Sequence, residues 1–253
     1  MNTARAALAT VAVRAATLTA CSSDHDDPAP SGTTAAQPDQ TATVEPADAA
    51  PAVSLAWSHD TTYGDEPQVL YVAQVKNSSK KVASVAIDVR ALDKTGTIVG
   101  SAQETLPNIP AGATFDYFGA IGGSIGSELT GTPDKIEVSQ AENAFGRAGS
   151  IQAPLLKTSE VKLTASEDET YTDTPHSYDL SAKVTNNTTD PVSSGVTQQV
   201  ILYNAQGKIV GGDSGMSDNI PQTLPKGMSY REQWTGIPAL DEATRAVYTV
   251  WAG

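Results

Sequence analysis

From Val53 onward, apolar and polar residues alternate in short runs broken by Asn, Gly, Pro and Asp. A period of two marks strands, and no stretch carries the 3.6-residue period of a long helix. Val85, Ile87, Val89 and Ala91 alternate with Ser84, Ala86, Asp88 and Arg90, which predicts one buried and one solvated face. Asp93-Lys94-Thr95-Gly96 and Asn204-Ala205-Gln206-Gly207 are predicted hairpin turns. Asp or Asn opens each, and Gly takes the positive φ. Asn77-Ser78-Ser79 and Asn186-Asn187-Thr188 read as polar turns between strands, and Pro-x-Gly ahead of Phe115 and of Tyr230 opens a further strand.

These blocks occur twice in the same order. Ser58-His59-Asp60-Thr61-Thr62-Tyr63-Gly64-Asp65-Glu66-Pro67 is echoed by Ser166-Glu167-Asp168-Glu169-Thr170-Tyr171-Thr172-Asp173-Thr174-Pro175. Leu92 to Gly100 is echoed by Tyr203 to Gly211, and Ile109-Pro110-Ala111-Gly112 by Leu224-Pro225-Lys226-Gly227. Self-similarity at a nearly fixed offset marks a duplicated structural unit. The chain is therefore expected to be all-β. It should hold two tandem antiparallel immunoglobulin-like β-sandwiches, at residues 53–148 and 158–253, of six or seven strands each. The joint around Gly146-Arg147-Ala148-Gly149-Ser150 is short, which predicts end-to-end packing.

A strand, a Val-x-Asn-x-Ser/Thr turn, a strand closing on an aliphatic-aromatic-Asp triplet, a Gly turn and Pro-x-Gly before an aromatic together resemble the FxLYD domain family. Val200-Ile201-Leu202-Tyr203-Asn204 carries the signature with Val for Phe and Asn for Asp. Val89-Arg90-Ala91-Leu92-Asp93 keeps the Asp and lacks the aromatics. The resemblance implies an immunoglobulin-like sandwich of exported bacterial proteins, often lipoproteins. It implies no activity and no catalytic residue.

The N-terminus has a different character. A positive start, a small-residue apolar run and Leu18-Thr19-Ala20-Cys21 make up an export signal over residues 1–20. The four residues resemble a bacterial lipobox, with Leu18, Thr19 and Ala20 ahead of Cys21. A transferase needs a thiol at the membrane surface to accept diacylglycerol, and the signal peptidase needs small side chains just upstream of the cut. Arg14 interrupts the apolar run, where a charge costs a few kcal/mol at the centre of a membrane segment. Lipidation supplies at least two acyl chains, enough for stable anchoring. Residues 21–52 hold the lipidated Cys and a Pro/Ala/Thr/Asp-rich tether without Lys, Arg or aromatics, a composition that stays disordered. Its reach is on the order of 30 Å if flexible and roughly 100 Å stretched.

Charge narrows the partners. The 253 residues carry a formal net charge of −13, and removal of residues 1–20 takes away Arg5 and Arg14 but no acid. An acidic chain without basic clusters excludes nucleic acid. Membrane contact then falls to the covalent anchor. One Cys leaves no disulfide framework within the chain.

Candidate chemistry is sparse. His25 lies in the tether, and His59 and His176 near corresponding loops. No Gly-x-Ser-x-Gly, His-Glu-x-x-His or Gly-rich phosphate loop is present. The His residues read as surface or loop positions, with no catalytic, metal or cofactor site assigned. Asp60, Asp65 and Glu66 recur as Glu167, Asp168, Glu169 and Asp173, either as solvated loops or as weak Ca²⁺ sites. Tyr63 and Tyr171 are expected to pack over sandwich ends, and Trp57, Trp234 and Trp251 to fill cores or the contact between repeats.

The expected protein is a non-enzymatic lipoprotein on the extracytoplasmic face of the bacterial cell membrane. It acts as a binding or structural module toward an unknown envelope protein or polymer. The alternative is a ligand- or cation-binding component of a transport or sensing system, using the acidic loops or a cleft between repeats. An enzyme would need His, Ser and carboxylate brought together across the repeats.

Overall fold

The alternation becomes fourteen strands in a computed structural model that describes residues 50–123, 128–141, 153–167, 174–193 and 195–252, with no helix among them. The proposed signal peptide, the lipobox, Cys21 and nearly all of the tether lie outside the described residues. So do His25, Tyr171, Asp168, Glu169, Asp173 and the joint at 146–152.

The first half contains β1 (Ala52–Tyr63), β2 (Glu66–Lys76), β3 (Ala86–Leu92), β4 (Ile98–Thr105), β5 (Thr114–Gly122) and β6 (Lys135–Gln140). They form two antiparallel sheets, ordered β1-β2-β5 and β4-β3-β6. Tyr71, Ala73 and Val75 of the first sheet meet Ile87, Val89 and Ala91 of the second in a buried core. The alternation of β3 thus does what its period requires, with Val89 buried and Arg90 exposed.

The second half contains β7 (Lys157–Ala165), β8 (His176–Thr185), β9 (Val192–Ser193), β10 (Val196–Tyr203), β11 (Ile209–Met216), β12 (Thr223–Leu224), β13 (Ser229–Ala239) and β14 (Arg245–Ala252). The pairing order recurs: β7-β8-β13 stands for β1-β2-β5, and β11-β10-β14 for β4-β3-β6. Here one bridge, Gly211 to Ala239, joins the two sets into a six-stranded sheet folded over its own core. The short β9–β12 pair matches the isolated bridge Ala83–Ile109.

The repeated turns match atom by atom. Asn77 is fully buried and its Nδ2 donates to the carbonyls of Lys81, Ile109 and Pro110 at 2.8–3.0 Å. Asn186 is also fully buried and donates to Asp190 and Leu224 at 2.8 and 2.9 Å. Their Oδ1 atoms accept from the hydroxyls of Ser79 (2.8 Å) and Thr188 (2.7 Å). These residues, expected as polar turns, are internal latches. Each satisfies carbonyls that the passing Pro-containing segment would otherwise bury unpaired. Gly96 and Gly207, at φ 82° and 75°, close the hairpins below Asp93 and Asn204 as expected.

The halves do not meet end to end. Pro46–Gly253 forms one compact unit. The outer face of β2 and β5 (Leu70, Val72 and Phe118) packs on the outer face of β10 (Ile201 and Tyr203). Strands buried on both faces read as continuous apolar runs, and Val69 to Ala73 and Val200 to Tyr203 are such runs. Each fully buried aliphatic or aromatic side chain contributes about 1.5–3 kcal/mol. At the middle of the contact sits Gln199, 1% exposed. Its Oε1 accepts the Phe118 N–H at 2.9 Å and its Nε2 donates to the Asp116 carbonyl at 2.6 Å. The amide thus stands in for a neighbouring strand along the open edge of β5. Asp116 accepts from Gln74 Nε2 at 2.9 Å and from the Tyr203 hydroxyl at 3.2 Å, and the Arg245 guanidinium lies 3.9 Å over the Tyr203 ring. Trp251 closes one side, its ring centre 6.2 Å from that of Phe115.

Gly212 makes room for this contact. A Cβ there would lie 2.9 Å from the Phe118 ring and 2.3 Å from the Val200 carbonyl oxygen. Gly212→Ala is therefore expected to lose about 2–4 kcal/mol in urea unfolding. Wild-type stability in that variant would mean that Phe118 does not rest against the β11 backbone.

Candidate functional site

In the first sandwich, β1 pairs only with β2 and β6 only with β3, so the two strands approach each other across a seam that no ladder closes. A groove runs along it. One part, of about 320 Å³, lies between Ser58-His59-Asp60 and Pro133 to Ile136. The other, of about 400 Å³, lies between Asp60-Thr61, Pro67 to Val69 and Leu129 to Pro133. The two share Asp60 and Pro133. The far wall is anchored to the β4-β3-β6 sheet, since Thr130 N–H donates to the Val99 carbonyl at 2.8 Å and Asp134 N–H to Leu92 at 2.7 Å. Gly100 lets Leu129 settle, because a Cβ there would come within 2.6 Å of its methyl.

The groove is polar at its rim, with Asp60 and Asp134 exposed and Lys135 Nζ paired to Glu137 at 2.6 Å. Two solvent-inaccessible polar atoms of residues beside it have no partner among the described residues, His59 Nε2 and Gln68 Oε1. Gln68 is 8% exposed. An unsatisfied buried polar atom costs about 1–3 kcal/mol.

The predicted site residues separate here. His59 and Asp60, read as loop residues, stand inside β1 and line the groove, and the turn comes later at Gly64-Asp65. Tyr63, the last residue of β1, is 40% exposed. His176 opens β8 in the other half, on a different sheet from His59. It lies near Asp241, whose carboxyl is held below the usual range mainly by Asn204 and the Glu242 N–H, with a smaller contribution from His176. No group of three or more His, Cys, Asp and Glu among the described residues is placed to hold a metal. Trp57 stacks near Phe118 at 6.2 Å, Trp251 bears on Phe115 and Tyr117, and Trp234 packs against the second core, as expected.

Sequence reasoning missed the acids inside the sandwiches. Glu232 is 1% exposed and accepts from the Ser217 hydroxyl and from Asn219 Nδ2 at 2.5 Å. The Tyr230 hydroxyl reaches Ser217 at 3.4 Å, and the Tyr248 hydroxyl donates to Gln198 at 2.6 Å. Ser217, Gln198 and Glu232 are buried, while Asn219 lies at the surface. The signal was the alternation Tyr230-x-Glu232-x-Trp234, which puts the acid on the inward face. In the first half, burial raises the Glu104 carboxyl against the lowering effect of the Tyr117 hydroxyl. Tyr71, fully buried, has a hydroxyl with no partner among the described residues.

Comparison with protein-family models and with curated proteins finds no match.

Asp213 carries a pH prediction. Burial pushes its carboxyl up to about 6, against the lowering contributions of the Ser214 N–H (2.8 Å) and Trp234. An acid whose folded pKa is raised binds its proton more tightly when folded. Stability therefore falls as pH rises from about 4 to about 6, and stays lower above that. Asp213→Asn should match wild type near pH 4 and exceed it by up to about 3 kcal/mol at pH 7. Melting temperatures across pH 4–8 check this, and a constant difference between the two proteins would contradict it.

Proposed function

We propose that this chain is a lipid-anchored, non-enzymatic lipoprotein of the bacterial cell envelope. In this reading residues 1–20 are removed, Leu18, Thr19 and Ala20 direct the cut, and Cys21 carries diacylglycerol. Residues 21–52 tether two FxLYD-like, immunoglobulin-like repeats, 53–148 and 158–253, outside the membrane. They present surfaces to an envelope protein or polymer.

The observation that carries the reading is the filled contact between the halves, where Gln199, Phe118, Ile201 and Tyr203 are buried together. A cleft between repeats is what a transport or sensing component of the second type would close around its ligand. A packed and hydrogen-bonded contact favours instead a stiff body displayed on a stalk. The matching latches at Asn77 and Asn186 and the recurring pairing order support the tandem-repeat part. The ligand-binding alternative keeps one point in its favour, the groove beside His59 and Gln68.

Fractionation of cells expressing wild type and Cys21→Ser tests the anchor. Wild type is expected in the membrane fraction and the variant in the soluble extracytoplasmic fraction. Equal membrane association of both would overturn the lipidation reading. Affinity capture from intact envelopes tests the module reading, which loses its support if wild type enriches no envelope component over the Cys21→Ser control.

A further inference from the structure

We propose that the pole of the first sandwich at which β1 begins docks on an anionic bilayer surface. The proposal deepens the lipid-anchored reading and rests on it. Ala52, the first residue of β1, pairs with Lys76, so the chain from the proposed anchor enters the folded body beside the turn that follows β2. That turn carries Lys80, Lys81 and Val82, and Asn77 fastens it to Ile109 and Pro110 of the segment ahead of β5. Lys76, Lys80, Lys81, Val82, Pro110 and Ala111 are all exposed, Val82 to 63%. Residues 76–83 and 105–114 hold these three lysines and no acid. The acids nearest along the strands, Asp88, Glu104 and Asp116, are half-buried on the sheets.

The fold does not require these cations. The second repeat builds the same latch with Thr185, Thr189 and Asp190 in place of Lys76, Lys80 and Lys81, since Asn186 donates to the Asp190 carbonyl as Asn77 does to that of Lys81. The lysines thus belong to the surface of one repeat, the one the tether enters. The chain as a whole is acidic, which opposes adsorption in an arbitrary orientation. Charge, however, acts within a Debye length, about 8 Å at physiological salt. The Asp93 turn lies at the other end of β3, a strand of seven residues, on the order of 20 Å away. Acids there do not offset lysines that touch a headgroup layer. Each such lysine favours the docked state about fivefold. The anchor confines the body within reach of the tether, so the contact needs no strong free affinity. A soluble polyanion offers the same charge, but the chain leads from the anchor to this pole, which selects the bilayer. Val82 adds an apolar tip to rest among the headgroups.

The test couples residues 21–253, in which the compact unit Pro46–Gly253 is whole, to vesicles through the single thiol of Cys21 and a maleimide lipid. The vesicles are phosphatidylcholine alone or phosphatidylcholine mixed with phosphatidylglycerol. Acylation of each lysine by a water-soluble succinimidyl ester is then read by mass spectrometry. Lys76 and Lys80 are expected to react at least about fivefold more slowly on the anionic vesicles than on the neutral ones, with the difference lost at high salt. Lys94 and Lys208, in the hairpins closed by Gly96 and Gly207, should react alike on both. Equal reactivity of Lys76 and Lys80 on the two kinds of vesicle would overturn the proposal. So would slowing that extends equally to Lys94 and Lys208, or the same slowing on neutral vesicles supplied with soluble polyphosphate. The coupling is chemical, so a failure here is separate from a failure of lipidation, which fractionation of cells reads.

Discussion

The open edge of β5 is the constraint around which the described body is arranged. A strand edge buried in a protein must find partners for its N–H and C=O groups. At Phe118 and Asp116 no strand supplies them; the side-chain amide of Gln199 does. The backbone partners dictate the orientation of that amide, since one group can only donate and the other only accept. A single planar amide thereby sets the position of β10 over the β1-β2-β5 sheet. The apolar contacts of Phe118, Ile201 and Leu70 then fill in around it.

Within each half the same economy of polar groups recurs. Asn77 and Asn186 are wholly buried yet fully engaged, fastening the segment ahead of Pro-x-Gly to the turn after the second strand. Gln198 and Glu232 are buried with hydroxyl and amide partners in the second sandwich. A chain without disulfide bonds gains its specificity from such satisfied networks, which penalise alternative packings more than they stabilise the native one. Gln68, His59 and Tyr71 depart from that rule, each with one buried polar atom that has no partner among the described residues.

Much of the architecture was legible from alternation. The period-two runs mark the strands, and the repeated Asn, Gly and Pro positions mark equivalent turns. The contact between halves was written in a different register. Val69 to Ala73 and Ile201 beside Leu202 are apolar on both faces, a pattern that calls for two-sided burial rather than an end-on joint. Gln199 escaped notice because its role depends on an edge some eighty residues earlier, and polarity inside an apolar run reads locally as a flaw. The groove was half legible: His59 and Asp60 stood out, but Leu129 to Ile136 arrive from a distant segment with no motif. Glu232 followed the alternation and was obscured only by the habit of placing acids outside.

The most direct measurement of this account is hydrogen exchange at the Phe118 amide. That N–H points to the open edge of β5 and has Gln199 as its acceptor. If the contact is the organising one, the amide exchanges only through global unfolding, as slowly as the core amides of β2 and β3, and Gln199→Ala removes that protection. Rapid exchange in the wild-type protein, with the β2 and β3 amides protected, would show that the two halves separate in solution and would contradict the central claim.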